Sequence, residues 1–279
     1  MIEKRVYIFD LDGTLYEGAD HFDFYADRLL EDVPNECKKA FLQDYRDMKN
    51  GRHVVMIGKV YDVMRDVIIT VDPMTLQAIE VKTWEGKTRP DILPHYEDLP
   101  LTFDFEKMVA IGDGWWLPFA CAKHYGVKDC YSRYLETKAY MVSDDFNLQK
   151  IVGLKSCLKD LKKIHPLVLM TNSDKEDVLR LLNELDLNDI FHHIISSAKK
   201  PAQTVQLFKE LQKHYELPFQ HLVSIGDNFI NDIAPALMLG MKAVYISSHP
   251  HQTTHANLFQ VEQISEWIST GWEIYVAHK

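Results

Sequence analysis

Strand-like and helix-like segments alternate regularly between residues 165 and 247. Short aliphatic runs begin near residues 167, 190, 222 and 243, and amphipathic stretches separate them. Two neighbouring parallel strands need a long crossover between them, which is usually a helix. The alternation therefore predicts an α/β fold whose doubly wound parallel sheet carries helices on both faces.

The same stretch predicts where three of its helices begin. The first follows an N-cap at Ser173 or Asp174 and carries Leu179, Leu182 and Leu185 on its apolar side. The second starts at Pro201, because proline is well tolerated in the first turn of a helix. The third covers about residues 232–239 and ends before a glycine.

A further strand is predicted at residues 5–9, far from its expected partners in the chain. The intervening chain does not alternate. Residues 22–66 show helical spacing of their apolar side chains, whereas residues 67–111 are richer in strand formers and prolines. We therefore expect an inserted domain that is mainly helical or mixed α+β.

This insertion divides the chain into two predicted domains. Residues 1–16 and 149–279 form the expected core, and residues 17–148 form an inserted cap domain. Hinges are expected near residues 16–20 and 145–150. An insertion at this place would lie over the carboxyl ends of the strands, where open α/β sheets bind their ligands.

Polar residues suited to phosphate or cation binding follow four of the predicted core strands. They are Asp10, Asp12, Thr171, Asn172, Lys200, Asp227 and Asp232. Each has a simpler interpretation when taken singly: acids often end turns or cap helices, and Lys200 has Lys199 as a neighbour on a solvated helix start. Together, at the ends of parallel strands, they predict one shared site.

These segments, in this order, resemble the motifs of the haloacid dehalogenase-like hydrolase superfamily, in its phosphatase-type members. The matching residues are Asp10-Leu11-Asp12-Gly13-Thr14-Leu15-Tyr16, Thr171-Asn172, Lys200-Pro201 and Gly226-Asp227-Asn228-Phe229-Ile230-Asn231-Asp232. The resemblance covers about residues 5–20 and 165–247. It implies a Rossmann-like core, and it favours Lys200 over Lys199 because the family places its lysine directly before this proline.

The expected chemistry is phosphoryl transfer, with three catalytic residues. A carboxylate such as Asp10 can attack phosphorus and form an aspartyl-phosphate. Asp12 would be the general acid for the leaving group and then the base for the attacking water. Lys200 would offset the negative charge of the nucleophile and the phosphate.

Magnesium is the expected cofactor, because it prefers oxygen ligands and can bring a phosphate beside a carboxylate. Asp10, the backbone carbonyl of Asp12 and Asp227 would supply three of its oxygens. In the family that the motifs resemble, Asp232 supports the metal through water or orients the lysine.

Three further residues are expected at the substrate phosphate. The Thr171 hydroxyl and the Asn172 backbone N–H would hold phosphate oxygens. Gly13 would let the chain turn sharply after the first strand, beside the same group.

A magnesium-dependent phosphatase of a small phosphorylated metabolite is thus the favoured hypothesis. A phosphomutase or phosphotransferase would use the same residues and stays open, as does a non-catalytic phosphate-binding regulatory protein. Carbon–halogen hydrolysis is disfavoured, since relatives with that activity need no metal and lack the acid at the position of Asp12.

A second stretch of the sequence resembles the motif at residues 226–232. Residues 109–131 share the pattern of residues 223–245, but they carry Pro118 where the latter carry Asp232. Asp113 is therefore not expected to bind metal. Candidate substrate contacts in the insertion, each more simply explained by packing, are Trp115, Trp116, His124, Tyr125 and Arg133.

Composition excludes several partners. The net charge of −10 argues against a chain that wraps nucleic acid by charge. We expect no membrane partner, because no apolar run approaches the length of a membrane span. Four cysteines without a C-x-x-C pair, together with the missing signal-peptide pattern, predict a reducing, cytoplasmic location. The particular substrate and the oligomeric state are left open.

Overall fold

A computed structural model describes residues 3–96, 101–104, 106–143, 145–146, 148–247 and 253–270. Contacts divide the chain into two compact units. We call residues 1–18 with 147–279 the core unit, and residues 19–146 the inserted unit.

The strands of the described residues are β1 (Val6–Phe9), β2 (Lys59–Asp62), β3 (Val67–Val71), β4 (Ala78–Thr83), β5 (Met108–Ala110), β6 (Leu167–Met170), β7 (His193–Ile195), β8 (Leu222–Gly226), β9 (Lys242–Ile246) and β10 (Leu258–Val261). The α-helices are α1 (Asp20–Asp32), α2 (Lys38–Lys49), α3 (Trp116–His124), α4 (Tyr131–Tyr140), α5 (Leu154–Lys162), α6 (Lys175–Glu184), α7 (Thr204–Tyr215), α8 (Ala234–Met238) and α9 (Ile264–Thr270). Shorter helical turns occur at Leu93–Tyr96, Phe219–His221 and Phe229–Ile233, and the last of these has π-helical geometry.

The core unit is built on a six-stranded sheet in the order β10-β9-β8-β1-β6-β7. Every neighbouring pair is parallel. From β1 the chain winds outward through β6 to β7, then returns to the other side of β1 at β8. The predicted Rossmann-like α/β class is confirmed, and the switch point between β1 and β8 is where such sheets bind ligands.

The central strands are apolar on both faces. Each residue of β1 is at most 1% exposed, and β6 and β8 are buried throughout. Continuous apolar runs of this kind are typical of strands covered by helices on both sides. Trp267 of α9 completes this core, with its ring 6.5 Å from Tyr7 and 6.0 Å from Phe9.

The predicted N-terminus of α6 is correct, and its predicted apolar side is correct at Leu182 and Leu185, which are buried, but not at Leu179. The Asp174 side chain accepts a hydrogen bond from the Asp177 N–H, so Asp174 rather than Ser173 caps the helix. Leu179 is 51% exposed. The buried stripe runs through Val178 and Leu181 at helical spacing, and Leu179 lies outside it.

Two other predicted helix starts are displaced. The helix expected at Pro201 begins at Thr204, because the Thr204 N–H bonds to the Pro201 carbonyl in a tight turn before α7 begins. The helix expected from Asp232 is α8, which begins after the π-helical turn at Phe229–Ile233.

The inserted unit combines helices with an antiparallel sheet in the order β4-β3-β2-β5. The helical prediction for residues 22–66 is correct only as far as α2. Gly51 and Gly58 have positive φ angles of 66° and 90°, which end the helical stretch. Residues 59–62 then form β2 and pair with β3 and β5.

No helix within the described ranges is long and apolar enough to cross a membrane. The four cysteines are free, and two of them, Cys121 and Cys130, are buried in the inserted unit.

We expect His165 to make the stability of the core unit dependent on pH. Its ring is 2% exposed, and its Nδ1 accepts a hydrogen bond of 3.1 Å from the Arg5 backbone N–H. Burial, together with the charge of Arg5, lowers the pKa of His165 from 6.5 to about 4. Below pH 6.5 the unfolded chain binds this proton more readily than the folded chain. The contribution to stability is therefore complete above pH 6.5 and is lost as the pH falls towards 4.

We predict that His165→Asn, which keeps an acceptor for Arg5, reduces this pH dependence. Between pH 7 and 4.5, the free energy of unfolding should fall by about 1–3 kcal/mol more in the wild type than in the variant. Urea denaturation across this range measures the difference, with the exposed His214→Asn as the matched control. If the free energies of unfolding of the wild type and His165→Asn differed by the same amount at every pH, His165 would not be the source of the pH dependence.

Candidate active site

The ends of three core strands place the predicted site residues together. Asp10 follows β1, and its N–H donates to the Ile225 carbonyl of β8 at 2.9 Å. Asp227 follows β8 directly, on the same side of the switch point. Thr171 follows β6, and its N–H donates to the Ile195 carbonyl at 3.0 Å.

Lys200 joins two carboxylates inside this site. Its Nζ lies 2.8 Å from Asp10 Oδ1 and 2.6 Å from Asp232 Oδ1. The Lys200 side chain is 2% exposed, whereas the neighbouring Lys199 is exposed. The structure thus brings Lys200, and not Lys199, to the acids.

Burial and charge act against each other at these three groups. Burial raises the pKa of Asp10 and of Asp232, and the Lys200 ammonium opposes that rise. Burial alone would lower the pKa of Lys200, but the two carboxylates outweigh it and raise the pKa above its ordinary value. Lys200 is therefore held as a cation between the two acids.

The acids form a set that fits a divalent cation. Asp10, Asp227 and Asp232 each offer a carboxylate oxygen, and these atoms lie within 4.8 Å of one another. Asp232 Oδ2 is buried without a hydrogen-bond partner among the described residues, which is unfavourable unless a cation or donor meets it. Three carboxylates and the Lys200 ammonium leave an excess of two negative charges. An all-oxygen donor set of this charge fits Mg²⁺.

Two glycines leave room for these carboxylates. A Cβ on Gly13 would lie 2.1 Å from Asp227 Oδ2, and one on Gly226 would lie 2.6 Å from Asp232 Oδ2. Gly13 also has a φ of +71°, so the sharp turn predicted after β1 is present. The packing of each glycine against an acid was not predicted. The role of Gly13 at the substrate phosphate stays a prediction.

Asp12 lies beside this set, and its carboxylate is not among the three clustered ones. The Tyr16 hydroxyl donates to Asp12 Oδ1 at 2.7 Å, and the Ser173 hydroxyl donates to Oδ2 at 2.8 Å. Neither partner was predicted for this role. The metal contact expected of Asp12 was through its backbone carbonyl, and it stays a prediction.

The Asn172 side chain binds the backbone on both sides of Lys200. Asn172 Oδ1 accepts from the Lys200 N–H at 2.7 Å, and Asn172 Nδ2 donates to the Lys200 carbonyl at 3.0 Å. The sequence predicts only a contact of the Asn172 backbone N–H with phosphate. That role and the phosphate contact of the Thr171 hydroxyl, which accepts from the Ser173 N–H, remain predictions.

The candidate substrate contacts of the inserted unit all make internal contacts there. Trp115 is 9% exposed, and Trp116 contacts Phe119 at a ring distance of 5.3 Å. Three others bond to carboxylates of the same unit: His124 to Asp66, Tyr125 to Asp44 and Arg133 to Asp32. Asp113 lies after β5 and accepts a hydrogen bond from the Trp115 N–H, so it serves a turn.

Residues 120–246 match the family model described as "Haloacid dehalogenase-like hydrolase". Over residues 120–246 the chain is therefore similar to the haloacid dehalogenase-like hydrolases. This match begins after the segment that contains Asp10. The resemblance of that segment to the hydrolase motifs is therefore independent of the family-model match. No curated protein matches the chain.

Solved structures with the same fold span almost the whole chain. The candidate HAD-hydrolase YfnB from Bacillus subtilis, bound to magnesium, is 16% identical with a TM-score of 0.52, covering 96% of this chain and 99% of its own. A haloacid dehalogenase-like hydrolase from Xanthomonas campestris is 15% identical with a TM-score of 0.52, covering 98% and 96%. A candidate β-phosphoglucomutase from Thermotoga maritima is 12% identical with a TM-score of 0.51, covering 97% and 99%. At these identities the likeness shows the fold alone.

Gly13→Ala should weaken magnesium binding by pushing the Asp227 carboxylate aside. We expect a loss of about 10- to 100-fold in Mg²⁺ affinity, as for other disturbed ligand positions. Calorimetric titration with Mg²⁺ measures it. Gly240→Ala is the matched control: Gly240 has a similar φ of +74°, but no atom lies within 4 Å of the added Cβ.

Both alanines carry the strain of a positive φ, which is about 1 kcal/mol. Only Gly13→Ala should lose metal affinity. Equal Mg²⁺ affinities for the two folded variants would show that the acids by Gly13 do not hold the ion.

Proposed function

We propose that this protein is a magnesium-dependent phosphatase that hydrolyses a small phosphomonoester through an aspartyl-phosphate on Asp10. The observation that supports this most is the buried contact of Lys200 with Asp10 and Asp232 beside Asp227. It combines a nucleophile, a fixed cation and a set of metal-binding oxygens at one sheet edge. Phosphoryl transfer through a covalent intermediate uses such a nucleophile, together with positive charge that stabilises the phosphoryl group.

Asp10 starts the reaction by attacking phosphorus. The new bond joins a carboxylate oxygen of Asp10 to phosphorus, and the bond from phosphorus to the leaving oxygen breaks. Asp12 gives its proton to that leaving oxygen. Lys200, held 2.8 Å from Asp10 Oδ1, keeps the carboxylate in place and offsets the charge of the incoming phosphate.

Hydrolysis of the aspartyl-phosphate then restores the enzyme. Asp12, now ionised, takes a proton from water, whose oxygen attacks phosphorus. The bond between phosphorus and Asp10 breaks, and inorganic phosphate leaves. Magnesium, held by Asp10, Asp227, the backbone carbonyl of Asp12 and the support of Asp232, would neutralise charge on the phosphoryl oxygens. Thr171, Asn172 and Gly13 would bind those oxygens.

The inserted unit would serve as the cap domain that selects the substrate, and the core unit would carry the chemistry. A small phosphorylated metabolite is the proposed partner, without nucleic acid or membrane. The four free cysteines are consistent with a reducing compartment, so a cytoplasmic location is part of the proposal.

Carbon–halogen hydrolysis is the less favoured activity of the same fold. It would use Asp10 as nucleophile but has no need of a second acid or a divalent cation. The hydroxyl-bound Asp12 and the three clustered carboxylates support phosphoryl transfer instead. Transfer to a sugar acceptor or phosphate binding without turnover would appear as different outcomes of the assay below.

The proposal predicts chelator-sensitive release of phosphate from a panel of phosphomonoesters. Asp10→Asn should lower the turnover number by at least about 10³-fold, because an amide cannot take the place of the nucleophile. Asp113→Asn, in the similar stretch at residues 109–131, should keep wild-type activity. Phosphate release is measured with Mg²⁺ and with excess chelator, and unfolding curves check that each variant folds.

Full activity in folded Asp10→Asn, or activity untouched by the chelator, would reject the mechanism. Phosphate moved to an added sugar phosphate rather than to water would identify a mutase or phosphotransferase. Tight phosphate binding without any turnover would identify a binding protein.

A further inference from the structure

The carboxylate of Asp12 is held by two hydroxyls from separate parts of the chain. Tyr16 follows it by one helical turn and bonds to Oδ1 at 2.7 Å, and Ser173, which follows β6, bonds to Oδ2 at 2.8 Å. With each of its oxygens engaged by a different hydroxyl, the carboxyl group has a fixed orientation. An acid that must deliver a proton to one atom depends on such an orientation.

Ser173 has no competing local role. The position suits a helix N-cap, but Asp174 caps α6 instead. The Ser173 backbone is fixed on both sides: its N–H donates to Thr171 Oγ1 at 3.1 Å, and its carbonyl accepts from the Ser197 N–H at 2.9 Å. The hydroxyl of a buried, fixed residue is thus directed at Asp12.

Tyr16 is placed by the turn that follows β1. The N–H groups of Thr14 and Leu15 both donate to the Leu11 carbonyl, which winds the chain into a helical turn after Asp12. Tyr16 is 1% exposed, so its ring belongs to the core while its hydroxyl reaches the carboxylate. Phenylalanine would fill the same space in the core. Packing therefore explains the ring of Tyr16 but not its hydroxyl, which bonds to Asp12.

The two partners of Asp12 are hydroxyls, and this suits a group that gains and loses a proton. A hydroxyl can donate a hydrogen bond or accept one, whereas an ammonium can only donate. Tyr16 and Ser173 therefore suit a carboxyl group that carries the proton in one step and lacks it in the next.

We infer that Tyr16 and Ser173 are positioning residues for Asp12, which they hold in line for proton transfer to the leaving group. This rests on the proposed function. It adds to it a prediction about leaving groups: the two hydroxyls matter for substrates whose leaving oxygen needs a proton, and little for those whose leaving oxygen does not.

The test compares kcat/KM for two probes, glycerol phosphate, an alkyl ester, and p-nitrophenyl phosphate, an aryl ester. This ratio reports transfer to Asp10, and it excludes the later hydrolysis that both substrates share. Tyr16→Phe and Ser173→Ala should each lower kcat/KM for the alkyl ester about tenfold, and the double variant about 100-fold. For the aryl ester the loss should stay below about threefold, since p-nitrophenolate leaves without a proton.

Matched controls remove the same groups elsewhere in the core unit. Tyr215→Phe in α7 and Ser156→Ala in α5 should leave both ratios unchanged. Asp12→Asn removes the acid itself. It therefore shows how far the losses in kcat/KM for the alkyl and the aryl ester can differ. Unfolding curves for each variant separate loss of fold from loss of positioning.

Equal losses on both esters in the folded double variant, or no loss on either, would overturn the inference. If the wild type cleaves both esters and Asp12→Asn discriminates between them, the proposed function stands even where the hydroxyl variants do not. If the wild type cleaves neither ester nor any other phosphomonoester, the proposed function itself fails.

Discussion

The contact of the Lys200 ammonium with Asp10 and Asp232 is the interaction on which the site depends. All three groups are largely buried, and ions in such surroundings are stable only when they are paired. Asp10 follows the central strand, Asp232 lies in the π-helical turn after its neighbour, and Lys200 precedes α7. The sheet order that places β1 beside β8 is what lets residues so far apart in sequence meet.

The surrounding residues fix the position of each charged group. Asn172 binds the backbone on both sides of Lys200, while Gly13 and Gly226 leave space for Asp227 and Asp232. These groups are in position before a substrate binds. Bringing the like charges of the carboxylates together therefore lowers the stability of the folded chain. Preorganised charge is also what phosphoryl transfer requires, since little else is asked of the protein in that reaction.

The core of this arrangement could be predicted from the sequence because parallel strands are apolar throughout and end at one edge. The strand ends predict Asp10 and Asp227, whereas the choice of Lys200 over Lys199 comes from the resemblance to the hydrolase motifs. Tyr16 and Ser173 were not predicted as partners of Asp12. Tyr16 is only four residues away, but its contact depends on the turn that follows β1, and the contact of the distant Ser173 leaves no local pattern.

Errors in the predicted elements have similar causes. Leu179 lies one position outside the buried stripe of α6, which apolar counting alone did not resolve. Residues 59–62 are too few to show strand periodicity, and their pairing with β3 and β5 decides their conformation. In the inserted unit, the density of aromatic residues favoured packing over substrate contact, and these side chains do make internal contacts there.

The most direct test of the central claim is the stability of Lys200→Met in the presence of a chelator, without substrate. Methionine keeps the apolar stem but leaves Asp10 and Asp232 buried without their cation. The free energy of unfolding should fall by about 3 kcal/mol or more, whereas Lys199→Met, one exposed residue away, should change it by less than about 0.5 kcal/mol. Equal stabilities for Lys200→Met and the wild type in urea denaturation would contradict the account.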